Sequence, residues 1–137
     1  MSPVHMSEKL KDALDCQVFV TVATLQPDGS PHQSVVWVGR DGDGLFFVTG
    51  VDKLKVRNLR RDPRLSVTVN PSDEPYGYAV ISGIARIESG GSRERMDELA
   101  VKYTGKTYAE HHPESYAALP ELVTVHVVPE KIAARFL

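Results

Sequence analysis

The sequence predicts a mainly β fold, a small and mostly antiparallel barrel of about six strands with two or three short helices. Three observations predict it. Short runs rich in β-branched and aromatic residues recur along the chain, tight-turn signals separate them, and few segments have helical apolar spacing. At 137 residues, 42% hydrophobic and 25% charged, the chain has the size of one domain, 1–137. A domain of that size buries roughly two-thirds of its unfolded surface, so it needs neither disulfides nor a structural metal.

Leu10 and Leu14, four residues apart, predict a short helix over residues 7–15. VFVTVATL (18–25) reads as a strand, and Pro27-Asp28-Gly29-Ser30 as a turn in which proline presets φ and glycine accepts φ > 0. HQSVVWV (32–38) is the second strand, GRDGDG (39–44) a tight reversal, and LFFVT (45–49) the third strand. Asp52 is positioned to cap a helix starting at Lys53, which Pro63 ends near Arg61. LSVTVN (65–70) and the long GYAVISGIARI (77–87) follow as strands, the latter with a bulge or bend expected at Gly83. Met96, Leu99, Ala100 and Tyr103 share one face of a helix over 92–103. Residues 104–120, with Pro113 and Pro120, read as irregular; LVTVHVV (122–128) is the last clear strand, with KIAARFL continuing after Pro129.

Apolar runs reach only four residues, far short of a membrane span. The N-terminal fifteen residues lack the apolar core of a secretory signal, and the lone Cys16 allows no internal disulfide. The expected setting is cytoplasmic. Glu110, His111, His112 and Glu114 lack the spacing of known zinc motifs, and Asp41-Gly42-Asp43-Gly44 lacks the remaining ligands of a calcium loop, so no metal site is expected. Phosphate-loop, dinucleotide and nucleophile-elbow motifs are missing, so no catalytic side chain can be named and a bound cofactor is expected to carry any chemistry.

Charge is the strongest functional signal. The net charge is −2, yet KLKVRNLRRDPR (53–64) sets six cations against the single acid Asp62, leaving 10 basic and 17 acidic residues elsewhere. On a helix, Lys53, Arg57, Arg60, Arg61 and Arg64 fall near one face, which would repel itself without a counter-anion. No aromatic residue interleaves the run and the chain as a whole is acidic, which disfavours nucleic acid and favours a small phosphorylated cofactor.

TVATLQPDGSPHQSVVWV, LFFVTGVDKLKVRNLRRDPRLSVTV and YGYAVISGIARI together resemble the pyridoxamine 5′-phosphate oxidase-like split-barrel family. Within it the likeness is to the small actinobacterial proteins that use the deazaflavin coenzyme F420; it spans residues 8–136, and KxRNLRRDPR is its most specific piece. The resemblance implies a six-stranded antiparallel split β-barrel, a homodimer with cofactor at the subunit interface, and hydride transfer to an electron-poor small molecule such as a quinone or enone. It implies that Ser34, Val35, Val36 and Trp37 line the cofactor ring. Thr49, Gly50, Lys53, Lys55, Arg57 and Asn58 would hold the phosphate and tail, and Tyr76 and Tyr78 would reach over from the partner subunit. Six cations over twelve positions suit the long phosphodiester and polyglutamate tail of coenzyme F420 better than the single phosphate of flavin mononucleotide (FMN), the alternative cofactor. The chain ends at Leu137, directly after its last predicted strand, so pyridoxamine phosphate is the less expected substrate; a flavin or haem carrier without turnover is the non-enzymatic alternative.

Overall fold

The computed structural model describes residues 4–137. One antiparallel sheet of seven strands carries the fold: β1 (Val20–Leu25), β2 (Pro31–Val36), β3 (Gly39–Asp41), β4 (Gly44–Gly50), β5 (Arg64–Val69), β6 (Tyr78–Ser89) and β7 (Leu122–Arg135). Their order is β2-β1-β5-β6-β7-β4-β3, an open arrangement whose edge strands β2 and β3 are consecutive in sequence. The split-barrel architecture is therefore as predicted, with seven strands in place of six. The extra one, β3, is the three-residue first arm of the reversal at 39–44; Gly42 turns it back into β4 with φ 59°.

Alternation places one face of β1, β5 and β6 inward. Val20, Val22, Leu65, Val67, Val69 and Ile81 form the core with Phe47, and α1 (Glu8–Asp15) seals it with Leu10 and Leu14. Strand β4 is buried on both sides, because Leu45 and Phe47 enter that core while Phe46 and Val48 meet Leu99 of α3 (Ser92–Thr104) on the other. This docking of α3 creates the wall that the site uses.

β6 and β7 pair along their length, with a register shift at Ser82/Gly83. A Cβ on Gly83 would lie 2.1 Å from the Val128 carbonyl oxygen, and Pro129, which has no N–H to give the ladder, sits opposite. Strand β7 thus runs unbroken through Pro129 to Arg135 because the bulge accommodates the imino acid.

Two expectations need correction. Residues 104–120 contain two short helices, α4 (Tyr108–His111) and α5 (Pro113–Ala117). A reciprocal capping box between Thr107 and Glu110 starts the first, and Pro113 occupies the first turn of the second. Glu110 is thereby engaged in capping. The second correction concerns α2, which spans Leu54–Arg61: its N-cap is Lys53 and no side chain caps it. The Lys53 amide donates to the Gly50 carbonyl in a turn, which moves the start one residue beyond the predicted cap Asp52. No helix among the described residues is long and apolar enough to cross a membrane.

Candidate functional site

Helix α2 sorts the basic run. Its buried stripe is Val56, Asn58 and Leu59, with half-buried Lys55 beside it, while Lys53, Arg57, Arg60 and Arg61 face solvent. Arg64 belongs to β5, where it pairs with Asp62 at 2.7 Å, so it does not share the helix face as predicted. That pairing, with the Arg64 backbone amide, holds the Asp62 carboxyl down to about 2. Arg61 donates to the Leu25 carbonyl and, at 3.3 Å, to Asn58 Oδ1. Lys53, Arg57 and Arg60 have no ion-pair partner among the described residues. Three cations therefore stand free side by side on the outer face of α2.

The inner stripe anchors the helix to the β1–β2 hairpin. Asn58 is fully buried and its Nδ2 donates to Thr24 Oγ1 at 3.0 Å. Its side chain positions the helix against β1. Lys55 Nζ donates to Ser34 Oγ at 3.0 Å, its sole protein partner among the described residues. Burial, reinforced by the charge of Lys53, pushes the Lys55 amine below the usual lysine range.

Beyond Lys55 opens a groove of about 250 Å³ lined by Val35, Val36 and Trp37 from the edge of β2, Val48 of β4, Met96 and Leu99 of α3, and Tyr108 of α4. Trp37 is held by near-parallel stacking on Tyr103, with ring centres 5.2 Å apart. The Tyr103 hydroxyl donates to the Val18 carbonyl and accepts from the Val38 amide, which fixes the ring on which Trp37 stacks. Tyr108 is set by its amide donating to Asp97 Oδ1 at 3.1 Å.

The structure thus gathers Val35, Val36, Trp37 and Lys55 at one groove, with Ser34 hydrogen-bonded to Lys55 and with Lys53 and Arg57 on the adjoining outer face of the helix. Thr49 and Gly50 are buried at the end of β4, Gly50 against Pro120. Tyr76 and Tyr78, 79% and 42% exposed, do not line this groove within one chain. Sequence reasoning missed Met96, Leu99 and Tyr108 as groove residues. The first two were read only as helix core, and the T-x-x-E capping signal at Thr107–Glu110 is what could have located Tyr108.

The chain is thus an open antiparallel split barrel with an apolar groove beside a cationic helix. Residues 6–136 match the model of the family described as pyridoxamine 5′-phosphate oxidase, and the chain belongs to that family. Among solved structures it is similar to an F420 reductase at 25% identity and a TM-score of 0.79, over 93% of this chain and 98% of that one. It is also similar to the conserved hypothetical protein Rv2991 from Mycobacterium tuberculosis, at 26% identity and a TM-score of 0.75, over 98% and 87% of the two chains. A candidate pyridoxamine 5′-phosphate oxidase from Listeria innocua matches at 27% identity and a TM-score of 0.68, over 93% and 95%.

Proposed function

We propose that this protein is an oxidoreductase that binds coenzyme F420 and uses it to reduce an electron-poor small molecule such as a quinone or enone. The observation that carries this reading is the placement of three cations unpaired among the described residues, Lys53, Arg57 and Arg60, beside an apolar groove walled by Trp37, Val48 and Met96. A flat ring needs apolar walls, and a tail with several negative charges needs cations spread along its path. Lys53, Arg57 and Arg60 would hold the tail, and Val35, Val36 and Trp37 would receive the ring. The reduced deazaflavin supplies a hydride when bound. The chain's own contribution is orientation of the ring by rigid β2 and Trp37, exclusion of water by Met96, Leu99 and Tyr108, and a positive field. The F420 reductase among the similar structures supports the choice of cofactor.

The reading includes a homodimer with the cofactor at the subunit interface. Its support is the outer face of β1, β5 and β6, where Thr21, Ala23, Ser66, Thr68, Val80 and Ser82 form an uncharged surface of small side chains. In that dimer Tyr76 and Tyr78, exposed in the single chain, are the residues assigned to reach the neighbouring subunit.

The test is a pair of fluorescence titrations of the purified protein, one with coenzyme F420 and one with FMN. Preferential binding of the deazaflavin is expected. Preference for FMN would move the protein to flavin chemistry or flavin carriage, and binding of neither would refute the cofactor reading.

A further inference from the structure

The two edges of the open sheet are joined by Trp37 and Val38, which lie between β2 and β3 and take part in no strand pairing. Val38 is fully buried, so its backbone amide and carbonyl need partners that the ladder does not supply. Consecutive side chains of α3 supply both. The Val38 amide donates to the Tyr103 hydroxyl at 3.2 Å, and Lys102 Nζ donates to the Val38 carbonyl at 2.6 Å. The same two side chains also donate to the carbonyls of Val18, just before β1, and of Leu14, near the end of α1. Tyr103 adds the stack on Trp37, with 7° between the ring planes. Helix α3, and not the sheet, therefore decides where the aromatic wall of the groove stands.

We propose that Tyr103 is a positioning residue for the cofactor ring: its hydroxyl holds the link between β2 and β3, and so sets the face that Trp37 presents to the groove. This rests on the coenzyme F420 reading, in which the ring lies against Val35, Val36 and Trp37. Stacking favours a range of offset arrangements, so it does not by itself fix Trp37. The two hydrogen bonds of the hydroxyl remove that freedom. Without them the Val38 amide is buried and unpaired, and the link must shift to find another acceptor, carrying Trp37 with it. Burial pushes the Tyr103 phenol above the ordinary tyrosine range, which keeps it protonated and able to donate to Val18 while it accepts from Val38. A misplacement of about 1 Å at a reacting centre costs about 10²-fold in rate, so a residue outside the groove lining acquires a role in the chemistry. The tail cations stand on α2, a different element, so cofactor affinity and ring orientation are separable.

The experiment uses the full chain as wild type, Tyr103→Phe, Trp37→Ala and the double variant. Trp37 is the only tryptophan of the sequence, so its emission anisotropy reports the wall directly in the free protein. Titration followed by the fluorescence of coenzyme F420 gives affinity, and the visible circular dichroism induced in the bound coenzyme reports how its ring sits. Tyr103→Phe keeps the stack and loses the hydrogen bonds. Trp37 anisotropy is expected to fall, the induced band to lose most of its intensity, and affinity to stay within about threefold of wild type. Trp37→Ala is expected to weaken the band as well, and the double variant to match Trp37→Ala alone, because Tyr103 acts through Trp37. Lys102→Met frees the Val38 carbonyl and leaves Tyr103 in place; it should lower the anisotropy and the band too, and it carries the test if Tyr103→Phe does not fold. Variants with the wild-type anisotropy and an intact band overturn the proposal while leaving cofactor binding standing. A double variant whose band lies well below that of Trp37→Ala also overturns it, since Tyr103 would then act without Trp37. A wild type that binds no coenzyme F420 removes the reading on which the proposal rests, and the proposal with it.

Discussion

Asn58 provides the sharpest separation between a binding and a structural role on α2. Replacing it with alanine removes the bond from Nδ2 to Thr24 Oγ1 and the acceptor that Arg61 uses, at a position with no solvent exposure. A buried hydroxyl left without its partner costs about 1–3 kcal/mol, and the vacated amide volume adds to that, so a loss of about 2–3 kcal/mol is expected. With an unfolding entropy of about 2.1 cal/mol/K per residue, the midpoint should fall by roughly 7–10 °C. Thr24→Val strands the Asn58 amide instead. The double variant should therefore be more stable than the sum of the two losses predicts, by about 1 kcal/mol. Thermal and urea unfolding of the four proteins gives the cycle, and cofactor titration at low temperature supplies the second axis. An Asn58→Ala protein with the wild-type midpoint but greatly weakened cofactor binding would refute the structural assignment and restore Asn58 as a ligand contact.

Two further outcomes follow from the fold. The Asp43 carboxyl accepts from the Met6 amide and His5, each at 2.9 Å, and is held down to about 2. A lowered folded-state pKa means that this contribution is present above about pH 4 and is lost as pH falls toward 2. Protection of the Met6 amide, as its exchange rate relative to the intrinsic rate at each pH, should therefore fall across that window, and Asp43→Asn should remove that change. Gly83→Ala places a Cβ against the Val128 carbonyl, backbone against backbone, so it should destabilise by about 3 kcal/mol or more in denaturant titrations; a change under about 1 kcal/mol would contradict the bulge geometry.

Much of the architecture is legible in the sequence because β-branched runs and Gly/Pro turns are local signals. The reversal at Asp41–Gly44 and the bend at Gly83 both occur where those signals put them. β3 escaped because three residues carry no periodicity, and α4 and α5 because four or five residues are started by caps more than by apolar spacing. At the site, KLKVRNLRR announces a cationic helix, and the 3.6-residue period separates Val56 and Leu59 from Arg57 and Arg60. What the period cannot say is what lies opposite. Lys55 differs from Lys53 because Ser34 of a strand twenty-one residues earlier meets it, and Met96 and Tyr108 reach the groove only through the docking of α3 on β4. Such long-range pairings are properties of the assembled barrel.

The central claim is that the outer face of α2 holds the anionic tail of coenzyme F420 while the groove takes its ring. The most direct test is the affinity of the wild type and of a Lys53→Ala/Arg57→Ala/Arg60→Ala variant for coenzyme F420 across a salt series. These side chains are exposed and make no ion pair among the described residues, so the variant should fold with wild-type stability. The account predicts affinity that falls with salt in the wild type, and binding at least about 10²-fold weaker with a flattened salt dependence in the variant. Equal affinity and equal salt dependence in the two proteins would contradict it.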